Sequence, residues 1–259
     1  MPNQSKNEPS EKAFYDSFWQ RQTALSTDEK CRLRFILSEV KGLTRRLTAS
    51  QSSTATPDKA GRGVASRLKI ADVGCGRGWL SQILSRFGEV TGFDMSISEA
   101  RKRYPSGRFV ECDVLHLPPG QFDIAVCSEV IEHIRPEEKP LLIESLFSIL
   151  RTGGALIMTT PNKAKTAALV NELSLQQELQ PVEDWLDVSA LSDLVASRFE
   201  VEKVGTMMFF PVAFRKIGPL SRTYRALYEQ LNGYRLLDPM LRRTKQGLYI
   251  GLVGRRKSQ

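Results

Sequence analysis

The sequence lacks the signals that mark several large classes of protein. No apolar run approaches the ~18 residues a membrane-crossing helix requires, and no internal repeat is evident. The opening stretch, MPNQSKNEPSEK, has no apolar core, so it is not expected to act as a secretory signal. Of four cysteines (Cys31, Cys75, Cys112 and Cys127), no two are spaced as C-x-x-C. Zinc and dithiol redox chemistry are therefore unsupported, and a reduced, cytoplasmic setting is expected. Histidine is scarcer still: there are only two, His116 and His133.

What is present is ordinary for a globular chain: 259 residues, 41% hydrophobic and 25% charged. That is enough chain for a sizeable core in one or two domains. The net charge of +8 points toward phosphate-bearing partners or anionic surfaces. Its distribution is uneven, since residues 214–245 hold eight basic side chains and two acidic ones.

Phe14, Tyr15, Phe18 and Trp19 share one helical face in residues 11–23. A second helix is expected from Ser26, where Ser26 and Glu29 have the spacing of a capping box. Residues 49–63 carry no large apolar side chain and read as a linker or exposed loop. Beyond them strand-like and helix-like segments alternate. Strands are expected at 68–73, 89–94, 108–112, 122–127 and 155–160. Helices are expected at 79–87, 97–104 and 141–150, the last stopped by Gly153-Gly154. This rhythm predicts an α/β fold: a doubly wound, mostly parallel sheet with helices on both faces. A helix near 188–197, a strand over 199–210 and a strand over 247–255 follow. The last two are separated by a basic, aromatic insertion at 211–246, whose apolar face would carry Leu220, Tyr224, Leu227, Tyr228 and Leu231.

The chemistry-bearing signals fall at one edge of this sheet. Asp72-Val73-Gly74-Cys75-Gly76-Arg77-Gly78 lies between a strand and a helix. Alternate glycines let the backbone turn tightly and approach a ligand, and the next helix offers its N-terminus. Asp94 ends the following strand, where a carboxylate can accept from both ribose hydroxyls. Asp113 ends the third, where it can face an exocyclic adenine amine. Each acid alone is more often a strand-end cap; together with the glycine loop at one sheet edge they describe a nucleoside site.

In these segments the sequence resembles the class I S-adenosylmethionine-dependent methyltransferases. DVGCGRG is similar to the family's first motif, GFD to its second-strand acid and CDVLHLP to its adenine-contacting segment. FDIAVCSEVIEHI and LRTGGALIMTTPN are similar to its fourth- and fifth-strand segments. The subgroup with E-V-I-E-H and T-P-N includes ubiquinone-biosynthesis O-methyltransferases and small-molecule and glycan methyltransferases. The resemblance implies a seven-stranded Rossmann-like sheet and S-adenosyl-L-methionine as cofactor, with S-adenosyl-L-homocysteine as product. It implies a helical cap and linker over 1–63 and a cofactor-binding domain over 64–259. Asp72 and the glycines Gly74, Gly76 and Gly78 would hold the methionyl part, Asp94 the ribose, and Asp113 with Val114 the adenine; Cys75, Met95 and Ser128 would be further cofactor-binding positions.

Glu129 and His133 are the expected catalytic pair. Methyl transfer to a hydroxyl needs the proton removed as oxygen attacks, which a histidine does near pH 7. The competing reading of His133 is a structural histidine closing the turn before Arg135-Pro136. E-x-x-E-H also resembles a metal site of RNA 2′-O-methyltransferases, but the second ligand histidine of that site is missing downstream, so that complete site is not expected and no metal ligand is assigned; a looser magnesium site with carboxylate and water ligands stays open. Cys127 follows Val126 inside a strand and reads as an inert thiol. The expected acceptor is a small molecule, lipid or sugar methylated on oxygen. An RNA 2′-hydroxyl and a non-catalytic accessory role remain the alternatives. Nucleic acid ranks below the others because no base-stacking module is visible. Arg222, Arg225, Arg242 and Arg243 would let the insertion meet an anionic membrane. No segment signals an oligomeric state.

Overall fold

Strand formation follows the period-two alternation of apolar side chains. In β4 (Phe122–Ser128), Ile124 and Val126 pack on one face, and Ala125 and Cys127 on the other. The computed structural model describes residues 11–21, 25–52, 67–167, 181–209 and 244–257. Within these, β1 (Lys69–Val73), β2 (Glu89–Asp94), β3 (Arg108–Glu111), β4, β5 (Leu150–Pro161), β6 (Phe199–Met207) and β7 (Tyr249–Arg256) form one seven-stranded sheet. Its order is β3-β2-β1-β4-β5-β7-β6. The first five strands pair in parallel, and β7 runs antiparallel to both β5 and β6. The expected seven-stranded, mostly parallel Rossmann-like fold therefore forms, with its antiparallel strand next to one edge.

Helices cover both faces. α2 (Thr27–Ser52) and α3 (Trp79–Leu84) lie on one, where Phe35, Ile36, Val40 and Leu43 meet Ile70, Ile124, Ile157 and Val253. α5 (Lys139–Ile149) and α6 (Val188–Ala196) lie on the other, where Leu142, Leu146 and Leu191 meet Ala125, Leu156 and Leu252. α4 (Ser98–Arg103) follows β2 and buries Ala100 against Phe109 and Cys75. α1 (Glu11–Arg21) lies against α4, its Trp19 carbonyl accepting from Arg103 Nη2 at 3.2 Å. At the start of α2, Ser26 N donates to Glu29 Oε2 at 2.8 Å and Glu29 N to Ser26 Oγ at 3.3 Å. The capping box read from the sequence is thus closed in both directions.

Two local expectations are corrected. Gly153-Gly154 does not cap a helix: α5 ends at Ile149, and β5 starts directly at Leu150 and runs through both glycines. The pairing of β4 with β5 jumps from Phe122↔Leu150 to Ile124↔Ala155, so the glycines form an irregularity within the strand, with Gly153 at φ +71°. The linker expected over 49–63 does not start at residue 49, because α2 continues to Ser52; the remainder of that stretch lies outside the described residues. The division expected at residue 63 lies outside the described residues. So do residues 211–243 of the expected insertion, with its apolar face and its four arginines. Among the described residues no helix is long and apolar enough to cross a membrane.

Candidate active site

Parallel strands bring their carboxyl ends to one edge, and here β1, β4, β2 and β3 deliver Asp72, Ser128, Asp94 and Asp113 to it. A cavity of about 710 Å3 opens at this edge, within the usual range for small-molecule sites of roughly 300–1,000 Å3. The loop after β1 turns on left-handed glycines. Gly74 has φ +73°, and a Cβ there would lie 2.2 Å from Val130 Cγ2. The loop is fastened to β2 by Gly74 N and Cys75 N, which both donate to the Phe93 carbonyl, at 2.8 and 3.1 Å. Asp94 accepts from Gly76 N at 2.8 Å on one oxygen and from Ser96 N at 2.9 Å on the other. The Met95 backbone N–H adds a third donor, and the carboxylate keeps acceptor capacity beyond these three. Asp72 accepts from Ser81 Oγ at 2.6 Å. Asp113 caps the turn Val114–His116 through Leu115 N at 2.9 Å while its side chain stays half exposed at the cavity.

The far wall is built after β4. Glu129 has φ +56°, a conformation uncommon for a residue with a Cβ and concentrated at functional sites. Its Oε1 accepts from Thr159 Oγ1 at 3.1 Å, and its Oε2 lies 3.5 Å from Arg32 Nη1. Arg32 itself is buried, bonded to Asp28 at 2.9 Å and stacked over the Tyr249 ring at 4.7 Å. Tyr249 Oη closes the network by donating to Asp28 at 3.1 Å. Burial opposes the charge on Arg32, but Glu129, Tyr249 and Asp28 outweigh it and hold the guanidinium above its ordinary range.

His133 sits one turn further on. Its Nδ1 lies 3.0 Å from the Val182 carbonyl. A carbonyl only accepts, so Nδ1 carries the hydrogen, and the Nε2 of a neutral ring holds the lone pair. Glu132, nearly fully buried, accepts from Thr160 Oγ1 at 2.9 Å. Among the described residues no cluster of ligating side chains could hold a metal ion. Cys127 is fully buried, and burial pushes its thiol far above the ordinary range, which suits an inert role.

Residues 70–154 match a family model described as a methyltransferase domain. Among curated relatives, the ubiquinone biosynthesis O-methyltransferase of Psychrobacter arcticus is 28% identical over 162 residues, covering 56% of this chain and 59% of that one. The enzyme of the same name from Xanthomonas euvesicatoria pv. vesicatoria is 33% identical over 120 residues, covering 40% and 49%. The chain spans about half the length of the curated relatives it matches. The N-methyltransferase NodS from Bradyrhizobium japonicum WM9, solved with S-adenosyl-L-homocysteine, shares the fold at 13% identity and a TM-score of 0.54, covering 94% of this chain and 99% of that one. An S-adenosylmethionine-dependent methyltransferase from Mesorhizobium loti does so at 18% identity and a TM-score of 0.52, covering 74% and 92%.

Residues 70–154 carry a methyltransferase domain, and the chain has the fold of S-adenosylmethionine-dependent methyltransferases. Of the residues singled out from the sequence, Asp72, Gly74, Cys75, Asp94, Met95, Asp113, Val114, Ser128, Glu129 and His133 all line this cavity. Gly76 and Gly78 do not: a Cβ on Gly76 would meet the Trp19 ring at 2.7 Å, and one on Gly78 would meet Phe109 at 2.9 Å. Their backbones shape the loop from behind. Sequence reasoning missed Arg32, Glu183, Trp185 and Tyr249, which also line the cavity. Arg32 did leave a signal, since it falls on the buried stripe of α2 with Ile36, Val40, Leu43 and Leu47. A charge on such a stripe needs a partner.

In a chain of net charge +8, the cavity is lined by ten carboxylates and three guanidiniums. Burial pushes Asp94 up to about 6, Asp72 and Glu132 to about 7, and Glu129 to about 8. A raised carboxylate stabilises the fold in its protonated form. That contribution is complete below the unfolded value near 4 and is lost as pH rises through the folded values. The melting temperature of the ligand-free protein is therefore expected to fall between about pH 5 and 8. A sulfonium cation favours the ionised forms, so the stabilisation by added S-adenosylmethionine is expected to grow across the same window. Thermal melts at pH 5.5 and 8 check both; a cofactor-free melting temperature that rises with pH contradicts the assignment.

Proposed function

We propose that this protein transfers a methyl group from S-adenosylmethionine to a hydroxyl oxygen of a small-molecule acceptor, with His133 as the general base. The observation that carries this reading is the 3.0 Å contact of His133 Nδ1 with the Val182 carbonyl. The Val182 carbonyl takes the Nδ1 hydrogen and leaves Nε2 as the proton acceptor, in a cavity shared with Asp94 and Glu129. The ubiquinone biosynthesis O-methyltransferases among the relatives support an oxygen acceptor.

The donor set suits the cofactor. Asp94 lines the cavity and keeps acceptor capacity for a ribose hydroxyl. Met95 and Val114 offer apolar contact to a planar base, and Asp113 an acceptor for its exocyclic amine. Asp72 and the backbone of Gly74 border the place for the amino-acid end. The excess of carboxylates matches a ligand bearing a sulfonium and an ammonium. When bound, the cofactor supplies an electrophilic methyl carbon whose leaving group is a neutral thioether.

The protein's own part is to position the acceptor and take its proton. His133 Nε2 would take the acceptor O–H proton as that oxygen attacks the methyl carbon, and the thioether would leave with the C–S electron pair. Water then removes the proton from the imidazolium. Glu129, held by Thr159 and Arg32, accepts a hydrogen bond from the acceptor or from the cofactor ammonium. The test is to incubate the protein with methyl-labelled S-adenosylmethionine and a small-molecule extract. Label in an alkali-stable ether product is expected. Label only in amines, or none at all, overturns the oxygen reading.

A further inference from the structure

We propose that Glu183 is the positioning partner of His133: held by the Trp185 indole, its carboxylate orients the imidazole and balances the charge gained with the acceptor's proton. This rests on the reading of His133 as the base. The imidazole lies between two carboxylates, with Nε2 3.9 Å from Glu132 Oε1 and Nδ1 3.9 Å from Glu183 Oε1. Glu132 is on the same turn as His133. Glu183 is fifty residues further along the chain, so its placement has to be built by other contacts.

Those contacts are present. Trp185 Nε1 donates to Glu183 Oε2 at 2.9 Å, which turns the other oxygen toward the ring. Asp184 N donates to the Glu132 carbonyl at 2.8 Å, tying the segment to the turn that carries His133. Asp184 Oδ2 is ion-paired with Lys139 Nζ at 2.7 Å. Asp187 caps α6 by accepting from Ala190 N at 2.9 Å. The segment is fastened on both sides of Glu183, and Val182 presents its carbonyl to Nδ1 from the same stretch. Among the described residues Glu183 has no ion-pair partner except His133. A carboxylate fixed by an indole and aimed at a histidine has the form of an electrostatic partner.

Other charged groups face this histidine as well. Glu132 belongs to its own turn. Tyr15 of α1 faces both Glu132 and Glu183, and burial and these acids keep its hydroxyl protonated. Arg32 of α2 faces Glu129 and Glu132. Arg135 and Glu138 line the cavity from the next turn. Glu183 is the one carboxylate among these that approaches Nδ1, the nitrogen already engaged by Val182.

The chain has two histidines, so nitrogen-15 NMR of the cofactor-free protein resolves His133, with exposed His116 as internal control. In the wild type the neutral His133 ring is expected as the Nδ1–H tautomer. In Glu183→Gln, which keeps an acceptor for Trp185 but removes the charge, its titration midpoint is expected to move about one pH unit lower. The tautomer and the His116 curve are expected to stay unchanged. Trp185→Phe is expected to move the midpoint the same way by less. Turnover of Glu183→Gln is expected to fall about tenfold in kcat with KM nearly constant, its acidic limb moving with the NMR midpoint. An unmoved His133 midpoint in a folded Glu183→Gln protein, or an Nε2–H tautomer in the wild type, overturns the proposal. If the midpoint moves while no acceptor is methylated, the pairing stands and the methyl-transfer reading fails.

Discussion

Replacing His133 by alanine is expected to lower kcat by about 10²–10⁴-fold, the usual contribution of a positioned general base. The side chain is partly buried, and its only hydrogen-bond partner among the described residues is the Val182 carbonyl. Removing the ring leaves that carbonyl to other donors and leaves the Asp94 side of the cavity untouched. Cofactor affinity is therefore expected to stay close to that of the wild type, which separates a catalytic loss from a binding loss. The acidic limb of the pH–rate profile is expected to disappear with the imidazole. The measurement is single-substrate kinetics on an identified acceptor, with S-adenosylhomocysteine affinity measured in parallel. Turnover near that of the wild type would show that His133 closes the turn and takes no proton.

Asp94→Ala is expected to weaken S-adenosylhomocysteine binding by roughly 10–100-fold. A hydrogen bond to a charged acceptor contributes about 1.5–3 kcal/mol, and each 1.4 kcal/mol is about tenfold in affinity. The same carboxylate also holds Gly76 N and Ser96 N. The alanine variant orphans two buried donors and loosens the loop that shapes the site. Asp94→Asn keeps one carbonyl acceptor for the backbone while removing the charge and half of the acceptor capacity. It is expected to fold more stably than the alanine variant and still to lose affinity. Equal affinity in wild type and both variants excludes Asp94 as the ribose ligand.

How far the sequence carries the reader depends on the range of the interaction. β1 to β5 were legible because each is a short apolar segment closed by a turn residue, and the β-α rhythm leaves few topologies. Asp72, Asp94 and Asp113 were legible as a set because a parallel sheet sends all its carboxyl ends to one side. Gly153-Gly154 was misread because a glycine pair after a helix looks like a stop, and periodicity carries no register. The pairing of β4 with β5 makes it a strand irregularity. The aromatic face of α1 was legible, but what it covers was not: Trp19 meets the backbone of Gly76 across fifty-seven positions of sequence. Glu183 and Tyr249 had no local signature at all, since each acquires its role from a partner on a different element. The positive φ of Glu129 is likewise invisible in a sequence, where a glutamate gives no hint of left-handed backbone.

The central claim is that the strand-end cavity bounded by Asp72, Asp94, Asp113 and His133 is the site of an S-adenosyl cofactor. Calorimetric titration of S-adenosylhomocysteine into the purified protein tests it most directly. One saturable equivalent per chain, weakened in Asp94→Asn and unchanged in His133→Ala, is the predicted result. No binding heat at ligand concentrations well above those that saturate related enzymes, or binding indifferent to Asp94, would contradict it.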